Sequence, residues 1–96
     1  MNHFEYFEEF VKPKIPGDYL LTWSDFPNGD FGDLKRAEFA SSSLLGSIEF
    51  WSKGWLGVDV VDLRIDDQVL VILCSPEDED GIKHAFDGLL EILVDV

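Results

Sequence analysis

Apolar residues recur along this chain with two different periods, and the switches between them mark its elements. Phe4, Phe7, Phe10 and Val11 fall at helical spacing, with Glu5, Glu8 and Glu9 on the other side. Asn2 stands three residues before Glu5, the spacing of a capping box. This predicts an N-terminal helix ended by Pro13 and Pro16, then a turn at Pro16-Gly17. Tyr19, Leu21 and Trp23 share one parity and predict a strand with an aromatic face. Turn formers crowd residues 25–33 and predict a long loop carrying Asp25, Asp30 and Asp33. A short strand over Ala37–Ala40 and a turn at Ser41–Ser43 follow.

The centre carries the strongest strand pattern. Gly46–Trp51 and Trp55–Ile65 read as two strands around Ser52-Lys53-Gly54. Two registers fit. A two-residue turn sets Ile48 opposite Asp59. A three-residue loop with Gly54 left-handed sets Ile48 opposite Val58 and Phe50 opposite Leu56. The second keeps apolar side chains together and is preferred. It also places Trp51 opposite Trp55 on the other face, beside Glu49 and Asp59. Val58 and Val60 share one parity, whereas Val61, Leu63 and Ile65 share the other. A bulge near Val60-Val61 would reconcile them and turn Asp62 and Arg64 outward.

Asp66-Asp67 predicts a turn, and Gln68–Cys74 is apolar on both parities, as in a strand covered on both faces. The last element reads as a helix opened by Ser75 and Pro76. Ile82, Ala85, Phe86, Leu89, Leu90 and Leu93 form its apolar stripe. Gly88 interrupts that helix and suggests close packing. The order predicts one α+β domain over residues 1–96. It has an antiparallel sheet of about four to five strands, with an N-terminal and a C-terminal helix packed on it.

Charge changes this picture most. Twenty Asp and Glu face seven Lys and Arg, for a net charge of −13, in a chain that is 46% hydrophobic. A disordered acidic tail would lack that apolar content. The charge therefore lies on a folded surface, where it opposes compaction and attracts positive partners. Direct nucleic-acid binding is not expected, because it needs clustered Lys and Arg. No apolar run approaches the roughly 20 residues that span a bilayer, so no membrane partner is expected. The acidic, aromatic N-terminus is the reverse of a basic leader. Cys74 is the single cysteine and sits in the apolar run Val69–Cys74. A small buried hydrophobe in a reducing cytoplasm is the expectation.

No catalytic pattern accompanies His3 or His84, and His84 falls off the helical stripe. Asp25, Asp30 and Asp33 do not match a calcium loop, and the glycines make no phosphate loop. No enzyme activity, cofactor or metal is expected. The candidate site is instead an amphipathic patch of Trp51 and Trp55 with Glu49, Asp59 and Asp62, extended by Asp25, Asp30 and Asp33. Tyr19 and Trp23 are candidate neighbours. Tryptophans anchor interfaces, and the carboxylates suit a partner's Lys and Arg. A competing expectation makes the tryptophans a second small core under the first helix. Dimerisation through the aromatic face is also compatible with the sequence.

The stretch Gly46-Ser-Ile-Glu-Phe-Trp-Ser-Lys-Gly-Trp-Leu-Gly-Val-Asp-Val60 follows Gly17-Asp-Tyr-Leu-Leu-Thr-Trp23 and precedes Ser75-Pro-Glu-Asp-Glu79. In size, order of elements and acidity this resembles small bacterial immunity proteins of contact-dependent growth inhibition and related polymorphic toxin systems. The resemblance implies a cytoplasmic inhibitor without enzyme activity. Its partner would be a basic toxin domain, often a nuclease. The alternative is a small acidic interaction or adaptor domain with no toxin partner.

Overall fold

The computed structural model describes residues 2–94. Asn2 opens the first helix as expected: its side-chain oxygen accepts the Glu5 N–H at 2.8 Å. The α-helical part, α1, is short (His3–Tyr6) and passes into a π-helical turn (Phe7–Val11) and a 3-10 turn (Lys12–Lys14). The wider turn changes the phase of the stripe. Phe7 and Val11 are buried, while Phe10 is left 43% exposed against the expectation from its spacing.

Five strands follow: β1 (Leu20–Gly29), β2 (Gly32–Ala40), β3 (Leu44–Trp51), β4 (Leu56–Asp62) and β5 (Asp67–Cys74). They lie in the order β1-β2-β3-β4-β5, each antiparallel to the next, and form an unclosed meander. The expected long loop over residues 25–33 is mostly strand. Asp25 pairs with Lys35 and Phe26 with Leu34, and only the tip turns. Asn28 and Gly32 take left-handed φ of 63° and 93° there. The turn formers thus close a hairpin.

The central hairpin has the preferred register: Ile48 faces Val58 and Phe50 faces Leu56. Gly54 is left-handed at φ 95°, and the Trp51 N–H bonds to the Trp55 carbonyl at 3.1 Å. A register shift does fall at Val60/Val61, but in the β4–β5 ladder. Val60 pairs with Leu70 and Val61 with Gln68, so Val69 of β5 is the extra residue. β4 therefore keeps its alternation and ends at Asp62, short of the expected Ile65.

One face of the sheet is sealed. The helix α2 (Glu79–Val94) buries Ile82, Ala85, Phe86, Leu89 and Leu93 against it, with Leu90 partly covered. Phe7 and Val11 join Ala37, Phe39, Ile48, Leu56, Val58 and Val60 in the same core. Each large side chain so buried contributes about 1.5–3 kcal/mol. α2 begins later than Ser75-Pro76 predicts. The Ser75 carbonyl accepts the Asp78 N–H in a turn, and Asp78 is the cap, accepting the Gly81 N–H at 3.0 Å.

β5 departs most from expectation. Leu70, Ile72 and Cys74 face the core, but Val71 and Leu73 are 65% and 59% exposed on a face that no described element covers. Cys74 is buried as expected, and desolvation with nearby Asp78 pushes its thiol pKa up. His84 is exposed, also as expected.

Two glycines make opposite predictions. A methyl group at Gly88 would meet the Leu70 Cδ1 at an ordinary 3.9 Å. Gly88→Ala should therefore raise stability by up to about 1 kcal/mol. Close packing does not require this glycine. A methyl group at Gly46 would instead run into the Phe39 ring. Gly46→Ala should destabilise by about 1–3 kcal/mol through overpacking. Urea denaturation of both variants checks the pair.

Candidate protein-docking face

The register defines the uncovered face row by row. Leu20, Ala40, Leu45 and Val61 form one row across β1–β4. Thr22, Glu38, Ser47, Asp59 and Val71 form the next. Ser24, Arg36, Glu49, Gly57 and Leu73 follow, then Phe26, Leu34 and Trp51, of which Leu34 is buried. The face thus has an apolar row at one end, an aromatic row at the other and charge between them.

The charged centre is ordered but not neutral. The Arg36 Nη2 donates to the Glu49 Oε2 at 2.7 Å, and its guanidinium lies 5.0 Å from the Phe26 ring centroid. Glu49 lies over Gly57, where an added methyl group would meet its Oε1 at 3.1 Å. The Ser47 hydroxyl donates to Asp59 at 2.9 Å. Among the described residues, neither Asp59 nor Glu38 has a cation within ion-pair distance. Arg36, Glu38, Glu49 and Asp59 border a shallow groove of about 320 Å³. Three carboxylates against one guanidinium leave it acidic.

The aromatic end is a small cluster in its own right. Phe31 stacks on Trp55 with centroids 4.6 Å apart and meets Trp51 edge-on at 5.5 Å. The Trp51 indole N–H is buried and has no acceptor among the described residues. The hairpin tip and the β3–β4 turn are stitched together there. The Ser52 N–H donates to the Asp33 carbonyl at 2.7 Å, and the Ser52 hydroxyl accepts the Asp33 N–H at 2.8 Å. A cleft of about 570 Å³ opens at this end, with Asp25, Asp33, Trp51 and Trp55 in its lining.

The predicted site residues therefore divide. Glu49, Asp59, Trp51 and Trp55 share the uncovered face as expected. Asp25 and Asp33 reach the same end of the sheet but not its uncovered face: Asp25 pairs with Lys35 on the parity of Trp23 and Ala37, the helix side, and Asp33 holds the hairpin by accepting the Asn28 N–H at 3.0 Å. Asp30 lies exposed at the tip, with its carbonyl 3.4 Å from the Lys53 amine. Tyr19 and Trp23 do not join the tryptophan pair. Trp23 stacks on Phe50 beneath Phe4 and Phe7, and the Tyr19 hydroxyl bonds to the Leu93 carbonyl at 3.2 Å. A small aromatic core does form around Trp51 and Trp55, but Phe31 rather than the first helix builds it.

Asp62 is a correction. It pairs with Leu44 on the sealed side, is only 8% exposed, and does not point outward. Because the extra residue is in β5, the parity of β4 never reverses. Arg64 holds the carboxylate with its Nη2 at 2.7 Å, its Nε at 3.0 Å and its backbone N–H at 3.0 Å. These bonds hold the Asp62 pKa below the usual carboxylate value.

Sequence reasoning missed Arg36, Glu38, Phe26 and Phe31. The alternation Leu34-Lys35-Arg36-Ala37-Glu38-Phe39 and the Asn28-Gly29 turn pair carried a usable hairpin signal. Among the described residues no group of three or more His, Cys, Asp or Glu is placed to hold a metal ion, and no helix is long and apolar enough to cross a membrane. The chain matches no protein-family model, no curated protein and no solved structure.

A depressed carboxylate pKa stabilises the fold above the ordinary carboxylate range, and that stability is lost as pH falls through the depressed value. Asp62→Asn should thus weaken the fold at pH 7, and its stability should differ least from the parent at the most acid pH. Denaturant midpoints measured from pH 7 downward check this. A difference that grows toward acid would overturn the assignment.

Proposed function

We propose that this chain is a bacterial immunity protein that binds and neutralises a cognate cationic toxin domain, of nuclease type, in the cytoplasm. One observation carries the reading: the uncovered sheet face has an acidic centre, with Glu38 and Asp59 lacking cation partners among the described residues, beside an aromatic end. A folded domain gains nothing in stability from unneutralised carboxylates gathered on one face. It gains attraction to a basic surface.

A nuclease presents positive charge where phosphate binds. An acidic face of matching shape is steered to that charge at rates up to about 10⁸–10⁹ M⁻¹s⁻¹ at low salt. Trp51, Trp55 and Phe31 then supply rigid apolar contact, as aromatic anchors do at interfaces. The Arg36–Glu49 pair holds Glu49 in place before contact, which limits the ordering cost of binding. Capture of the toxin rather than chemistry on it is the mechanism, and its strength falls with ionic strength.

Affinity capture from the native cell tests the reading, with Glu38→Lys/Glu49→Lys/Asp59→Lys as the control chain. The parent should retain a basic toxin domain, and the folded triple variant should bind it at least about 100-fold more weakly. Loss of the chain should also leave cells sensitive to that toxin. Retention of non-toxin proteins alone would favour the adaptor alternative. Undiminished binding by the triple variant would remove this face from the site.

A further inference from the structure

The two free edges of the sheet are built differently. β1 carries Asp25 and Pro27 and has a register shift between Phe26 and Gly29. Charge, proline and a bulge are the usual guards against edge pairing. β5 has a bulged Val69, but beyond Asp67 it has no charge and no proline through Cys74. Its outward main-chain groups have no partner among the described residues. Val71 and Leu73 stand 65% and 59% exposed along it. The core explains Leu70 and Ile72, which α2 covers, but not these two.

We propose that β5 pairs with β5 of a second copy, antiparallel about a two-fold axis, extending the sheet across both molecules. Charge selects this occupant. A basic partner would find no carboxylate along Gln68–Cys74 to recognise. For two molecules of charge −13, contact is least costly along a segment free of carboxylates. Register selects the direction. With Val71 opposite Val71, Val69 meets Leu73, and each Asp67 lies near the far end of the other strand. Parallel pairing would set Asp67 beside Asp67. The antiparallel arrangement is also self-complementary, as a two-fold contact must be.

Size sets the strength. Eight residues at about 3.4 Å each give an edge roughly 27 Å long and one strand wide, a line of contact rather than the broad patch of a standard interface of about 1,200–2,000 Å². The dimer is therefore weak and depends on concentration. Residual repulsion gives it an unusual signature: added salt tightens it. Its two-fold axis stands normal to the sheet, so both acidic faces look the same way and remain open.

Sedimentation velocity of the whole chain, from about 10 to about 500 µM, tests this by mass action. A reversible dimer should appear, at least about threefold tighter in about 0.15 M than in about 0.01 M salt. Val71→Lys sets two ammonium groups opposite each other at the axis and should leave only monomer. Val71→Thr keeps the strand former without the charge and should weaken the dimer less. Trp51→Ala, on β3 and two strands from this edge, should leave it unchanged. The parent remaining monomeric in both salts would overturn the proposal. So would a dimer that survives Val71→Lys or is lost with Trp51→Ala. Amide protection along β5 that appears only with a foreign protein would equally overturn it.

Discussion

The sheet is covered on one side only, and the rest of the molecule follows from that. Phe7, Phe86, Leu89 and Leu93 press onto Phe39, Ile48, Leu56 and Val60, and these side chains supply most of the core. The helical segments are too few to cover both faces of five strands. Side chains on the other face are consequently free to meet demands other than packing. Arg36, Glu38, Glu49 and Asp59 occupy positions that a two-sided core would have filled with apolar groups.

The net charge is distributed unevenly in consequence. Asp78 caps α2, Asp33 closes the first hairpin, and Asp62 is locked by Arg64 on the sealed side. Glu8 and Asp87 pair with Lys12 and Lys83 one helical turn away. These carboxylates have local structural partners. Glu38 and Asp59 have no cation among the described residues, and they share the sheet face with the paired Glu49. The signal of a basic partner is therefore smaller than −13 and more localised.

Much of the fold was legible because period-2 alternation and glycine geometry agree at the central hairpin. Ile48, Phe50, Leu56 and Val58 left only one register that buried all four, and Gly54 supplied the turn. The first hairpin was hidden because Asp25, Pro27 and Asn28 resemble a loop in composition, although most of them extend a strand. The bulge was legible in position but not in owner, since a slip in the pairing of two strands can be taken up by either. That difference put Asp62 on the wrong face. The exposure of β5 was illegible for a related reason: apolar residues on both parities signal two covers, and the sequence does not encode whether the second belongs to the same molecule. Trp51 and Trp55 were correctly paired, but Phe31, which completes their cluster, lay in the misread hairpin.

Docking of a cationic protein on the uncovered face, as proposed, would leave the helical face free. Carboxylate and tryptophan footprinting of the chain, free and in complex with its captured partner, tests it most directly. Protection of Glu38, Glu49, Asp59, Trp51 and Trp55 is expected, with Asp87 and Glu91 of α2 as reactive in the complex as in the free chain. Protection of Asp87 and Glu91, with the sheet face still reactive, would contradict it.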